Sequence, residues 1–290
     1  MRPIFTKLVR LGMLTVALAG GVIRSARGDE ASEVLDRWMQ LYDETAMSVE
    51  MRFADTPDVP VTRDSTPVLR YTNPVRARAT HGAVYVWTFK KRPAVIAAFW
   101  SAMPEPGVRR LNFEWHSLQE PPMFAEYNGD RIWATHEPGL ERHVIPDAPL
   151  PAASRPKRMV QMRQIASSFA AEIPAGESEL RLLAQPVFRN PEAEGDVIDG
   201  AVFAYVMGTD PELFLLLEAR AAANGSAQWH VGFVRFTNVP LSVHRNGREW
   251  WSCQIARAPI GAPERNHRFF VHLEVKRLPA DLEAGNREKQ

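Results

Sequence analysis

The chain has 290 residues, 45% of them hydrophobic and 24% charged, with 23 prolines, 17 glycines and one cysteine. That composition excludes a disordered polymer, a collagen-like fibre and a polytopic membrane protein, and the proline content argues against long helical bundles. The formal net charge of +1 hides an asymmetry. Arg2, Lys7, Arg10, Arg24 and Arg27 lie in the first 28 residues, where there is no acidic residue.

Residues 1–28 therefore read as an export leader. Arg2, Lys7 and Arg10 form the basic start, residues 11–23 an uncharged apolar stretch, and Ala26 and Gly28 a small-residue cleavage site before Asp29. The apolar stretch is too short to span a bilayer comfortably, so no transmembrane anchor is expected after cleavage. Removing those five basic residues takes Lys+Arg from 35 to 30 against 34 acids, a mildly acidic mature chain. Such a chain lacks the basic surface of a nucleic-acid binder. Export implies a secreted or periplasmic protein, and with Cys253 alone no internal disulfide can form.

An amphipathic helix is predicted from Val34, Leu35, Trp38, Leu41 and Tyr42. Pro57 and Pro60 then interrupt the pattern before strands at 68–71 and 83–89. Pro93 suits the first turn of a short helix through Trp100. The alternation of Leu111, Phe113 and Trp115 with polar residues predicts a half-exposed strand. Asn128-Gly129 predicts a hairpin between 124–127 and 131–135, because both turn positions tolerate positive φ.

Pro146, Pro149, Pro151 and Pro156 mark a connector over 146–158. It divides an N-terminal α+β lobe (29–145) from a C-terminal, mainly antiparallel β lobe (159–278), with a flexible tail at 279–290. The second lobe opens with a helix over 159–171. Strands follow at 180–188, 201–207, 213–220, 228–236 and 241–245, then Asn246-Gly247 turns into 249–255, and 269–275 closes the series. Residues 213–223 could instead form a helix capped by Asp210-Pro211-Glu212 and ending near Asn224-Gly225; the strand reading is preferred because two apolar runs then become neighbours. The fold class is α+β, a mixed N-terminal lobe followed by an antiparallel meander in a sandwich or curved sheet. No repeat is evident beyond a shared basic residue and tryptophan after each Asn-Gly.

Chemistry-bearing motifs are sparse. His136, Glu137, Glu141 and His143 lack the i, i+4 spacing of a zinc-protease helix, and Pro138-Gly139 would break one; His136 and His143 remain the metal-site candidates, with none expected. His267 and His272 are five apart and face opposite sides of a regular strand. Ser154 and Lys157 have a penicillin-binding spacing without its companion motifs, and Ser154 is read as a helix entry. No cofactor fingerprint is present. Adjacent Trp250 and Trp251 are the ligand-binding candidates: neighbouring strand residues face opposite sides, so one ring is exposed unless both faces are covered.

Asn73-Pro74-Val75-Arg76, Gly82-Ala83-Val84-Tyr85-Val86-Trp87, residues 179–185 and Gly208-Thr209-Asp210-Pro211-Glu212 resemble uncharacterised secreted proteins of planctomycete-type bacteria. That resemblance implies export and a shared fold, with no activity attached. The opening helix over 34–42 and the Asn-Gly hairpin over 127–133 are similar to periplasmic lipoprotein carriers, which implies lipid binding. The expectation is an exported, non-catalytic binding or assembly protein. The alternatives are a periplasmic lipid- or amphiphile-binding protein and an exported hydrolase without a recognisable motif.

Overall fold

The computed structural model describes residues 19–73, 80–105, 108–135, 139–174, 178–222, 225–254 and 270–279. Most of the expected leader, His136, His267 and the expected tail beyond 279 lie outside them.

The first lobe begins with α1 (Ala19–Met47) and continues through β1 (Val49–Phe53), β2 (Thr62–Arg63), β3 (Leu69–Asn73), β4 (Thr80–Phe89), β5 (Arg92–Glu105), β6 (Val108–Ser117), β7 (Met123–Tyr127) and β8 (Asp130–Ala134). A short β9 (His143–Val144) leads into α2 (Arg155–Ser167). The second lobe follows as β10 (Phe169–Ile173), β11 (Ser178–Leu182), β12 (Phe188–Arg189), β13 (Val197–Met207), β14 (Asp210–Ala221), β15 (Ala227–Arg235), β16 (Leu241–Arg245) and β17 (Arg248–Cys253). The last strand, β18 (Phe270–Pro279), returns to the first lobe and pairs with β6.

The backbone of α1 passes through Gly28, where cleavage is expected. Trp38, Tyr42 and Ala46, four residues apart and almost unexposed, bury one stripe of α1 against β4, β5 and β6. The α2 helix places Met162, Ile165 and Ala166 against the second sheet in the same way. It ends before Phe169, so the helix predicted to reach 171 is shorter and its last residues start β10. Ser154 stands at its N-cap position without a side-chain capping bond.

The helix predicted over 93–100 is instead β5. Alternate residues of this strand face different layers: Val95, Ala97 and Phe99 join the α1 core, while Ile96 and Ala98 join Val202, Ala204, Phe214 and Leu216 of the second lobe. A strand covered on both faces loses its polar alternation and reads as an unbroken apolar run. The strand preferred for 213–219 is β14, buried on both sides for the same reason.

The two lobes are one unit built twice. Trp87 pairs with Val95 and Thr88 with Pro93, with a bulge between; Tyr205 pairs with Leu213 and Val206 with Pro211, with the bulge at the same place, a constant shift of 118 positions (87 to 205, 95 to 213). The hairpins repeat the agreement. Ala125 pairs with Trp133 and Glu126 with Arg131 across a bulge, as Val243 pairs with Trp251 and His244 with Glu249. In sequence, Gly82-Ala83-Val84 matches Gly200-Ala201-Val202 and Pro93 matches Pro211. Both glycines are forced by close neighbours: a Cβ at Gly82 would lie 2.6 Å from Trp100 Cβ and 2.7 Å from the Tyr71 hydroxyl, and one at Gly200 2.8 Å from Asn190 Nδ2. These registers overturn the expectation of no repeat.

Each sheet curls around its helix. Trp115 on β6 stacks on Trp133 on β8, ring centroids 6.4 Å apart, although β6 belongs to the six-stranded sheet of the first lobe and β8 to a separate three-stranded sheet with β1 and β7. Phe233 and Trp251 make the matching contact in the second lobe at 5.7 Å. The outer faces of the two curled sheets meet in a shared core containing Val84, Ile96 and Ala98 opposite Val202, Phe214 and Leu216. The layers therefore run helix, sheet, sheet, helix. Each lobe also lends a strand: β9, which follows the first hairpin, pairs with β15, and β18, which follows the second, pairs with β6.

Candidate functional site

A groove of about 310 Å³ opens in the first lobe between the end of α1, β1, the loop at 57–61 and Trp87 of β4. Its floor is apolar, with Ala46, Val49, Met51, Val61 and Trp87 all buried. Met47 and Val59 stand at its rim, 63% and 37% exposed.

The groove exists because one ladder is nearly absent. In the second lobe β10 and β11 pair through Ala171 and Leu180, Glu172 and Glu179, and Ile173 and Ser178. The matching segment of the first lobe makes a single bridge, Met51 to Val61. Pro57 and Pro60 lie in that segment; a proline has no N–H to donate and a fixed φ, so it interrupts a ladder. The second lobe also fills the matching space. The Tyr205 hydroxyl donates to the carbonyls of Ala166 and Phe169 at 3.1 and 2.9 Å, and the Phe169 ring packs on Phe233 and Trp250.

Two arginines line the groove, in different electrostatic settings. Arg52 is neutralised: Nη2 lies 2.5 Å from Glu50 Oε2, Nη1 donates to the Pro57 carbonyl at 3.0 Å, and Glu126 is 4.0 Å away. The Arg63 guanidinium sits over the Tyr85 ring, 5.3 Å from its centroid, and its Nη1 is buried with no hydrogen-bond partner among the described residues. The Tyr85 hydroxyl donates to Asp43 Oδ1 at 2.5 Å. Burial, reinforced by that bond to a carboxylate, pushes the phenol far above its ordinary range and keeps it neutral.

Other polar constellations are sealed in the interior. Tyr42 Oη lies 2.9 Å from His81 Nδ1 and donates to Ser101 Oγ at 2.7 Å, and Ser101 Oγ is 3.4 Å from His81 Nε2. Tyr42 and Ser101 are unexposed, so this Tyr-His-Ser cluster ties α1 to β4 and β5. Glu218 is held by Arg92, Arg142 and Arg220 at 3.2, 2.7 and 2.9 Å. Burial raises its carboxyl pKa, but the guanidinium charges outweigh that and hold it below the usual carboxylate range. Because Arg92 begins β5 and Arg142 precedes β9, this cluster joins the lobes.

The tryptophans singled out in the sequence do not divide between two faces. Trp250 is the extra residue of the β17 bulge, and a bulge re-aims side chains. Both rings consequently pack on the second-lobe core and both are half-buried: Trp250 stands edge-on to Phe169 at 5.4 Å, and Trp251 tilts against Phe233. Ile132 and Trp133, at the matching bulge, are buried more deeply. His143 is exposed and pairs with Val231 in β9, with His136 outside the described residues. His272 lies in the backbone of β18. Cys253 is half-buried at the end of β17, and burial pushes its thiol pKa up.

No protein-family model, curated protein or solved structure matches this chain. The groove was not singled out in the sequence. Its signal there was the pair Pro57 and Pro60, set where the second lobe carries a continuous hairpin.

Proposed function

We propose that this chain is an exported, non-catalytic binding protein whose ligand site is the first-lobe groove. The observation that carries the reading is the asymmetry between twin lobes: one keeps an open cleft, with a buried apolar floor and walls that carry Glu50, Arg52, Asp58 and Arg63, where the other is closed by Phe169, Tyr205 and a complete ladder. A pocket of this size is at the small end of ligand sites and suits the apolar part of a small amphiphile. The similarity of the opening helix and Asn-Gly hairpin to periplasmic lipoprotein carriers supports the same class of ligand. The basic, apolar and small-residue order of residues 1–28 supports export.

Calorimetric titration with decanol, a neutral amphiphile, tests the site. Saturable binding to the wild type, weakened by the surface double variant Met47→Asn, Val59→Asn, is the expected result. Undetectable binding, or binding indifferent to that variant, would remove the groove from consideration.

A further inference from the structure

Resting on that reading, we infer that the groove selects anionic amphiphiles, a single alkyl chain ending in a carboxylate or sulfate, through Arg63. Three observations converge on this residue. Its Nη1 is buried and has no hydrogen-bond partner among the described residues, although an arginine can donate five. It lines the open groove beside an apolar floor. Its position is also one where the fold needs no charge: Arg63 pairs with Trp87 on β4, and the matching residue opposite Tyr205 is Leu182.

An unmatched guanidinium in a partly dry site is costly unless something accepts from it. Within the groove Arg52 already has Glu50, Glu126 and the Pro57 carbonyl. Asp43, beside the ring on which Arg63 rests, takes the Tyr85 hydroxyl and lies 3.4 Å from Arg70 Nη2. A carboxylate or sulfate oxygen at the edge of the guanidinium that lines the groove would add a charge-assisted bond, while the chain behind it lies along Met47 and Val59 at the rim. Stacking on Tyr85 holds the planar fork in place and limits the entropy lost when the bond forms.

The experiment compares decanoate and decyl sulfate with decanol and decylammonium on the full chain. The two anions should bind about tenfold or more tighter than the alcohol, the gain expected of a charge-assisted bond, and the cation more weakly than the alcohol. Arg63→Gln should bring the anions to the level of decanol measured on the same variant. In the wild type, raising the salt concentration should narrow the anion advantage, a readout that needs no variant. Decanol binding with no anion preference, or a preference that survives both Arg63→Gln and salt, overturns the role of Arg63 and leaves the groove intact. Failure of all four ligands overturns the groove and this inference together.

Discussion

Arg158 of α2 meets Asp199 of β13 in the interior of the second lobe, Nε to Oδ2, at 3.0 Å. The matching positions in the first lobe are Trp38 and His81, whose rings meet edge to face at 5.7 Å. The same helix-to-strand contact is thus made once by an ion pair and once by two rings. Arg189 also holds Asp199, at 2.7 Å, and Arg158 caps the carbonyls of Ala152 and Ala153.

Removing one partner of such a buried pair strands the other's charge. Arg158→Met should therefore destabilise the protein by about 3 kcal/mol, and Asp199→Asn by about 3 to 5 kcal/mol because two guanidinium groups lose their counter-charge. Urea unfolding of both variants checks this. Costs below about 1 kcal/mol would show that the pair contributes little to fixing α2.

Acid should act through the same carboxyl groups. Burial raises the pKa of Asp199, but Arg189 and Arg158 more than offset it, and Glu218 is likewise held low. A folded pKa below the unfolded value means that the unfolded chain binds more protons in the interval between them, so stability falls as pH falls. Their contribution is present above about pH 4, the unfolded carboxyl range, and is lost as pH drops through the folded values. Urea midpoints measured from neutrality to strong acid should fall in that window, with a shallower fall in Asp199→Asn.

The hairpins offer a matched comparison. Asn128 and Gly129 have φ of 53° and 85°, and Asn246 and Gly247 of 52° and 74°, so Gly129→Val and Gly247→Val should each cost about 1 kcal/mol or more. The rings beyond the turns should not behave alike. Trp133→Ala should cost about 3 to 5 kcal/mol, whereas Trp250→Ala and Trp251→Ala, from half-buried rings, should cost less. Equal losses in chemical denaturation would contradict the difference in burial.

Calorimetry tests the duplicated architecture as a whole. A shared core and two lent strands should make the lobes unfold in one transition. Two resolved transitions would show that the interface between sheets is not cooperative.

Much of the second lobe was legible because β13 to β16 are bounded by turn residues and carry long apolar runs. The Asn-Gly hairpins were legible from two residues each. Arg92 to Trp100 was not, because Pro93 at a bulge mimics a helix start and double-sided burial erases alternation. Asp210-Pro211, at the matching bulge, posed the same question and was resolved only by its neighbours. The duplication leaves little trace in the sequence since the shared residues are few and scattered; what repeats is pairing, visible only when strands are assembled. The groove depends on a comparison between Val61 and Leu180 that needs the same registers. Trp250 and Trp251 pack on one core, against the alternation of a regular strand, because one inserted residue at the bulge changes the parity of the strand.

The lent strands have a consequence for cleavage of the chain itself. A cut in the proline-rich connector after β9 would leave one fragment with β9 seated in the other's sheet, and the second fragment with β18 seated in the first's. The pieces would hold each other like clasped hands, so a nicked molecule should travel as one particle through gel filtration and separate only when denatured.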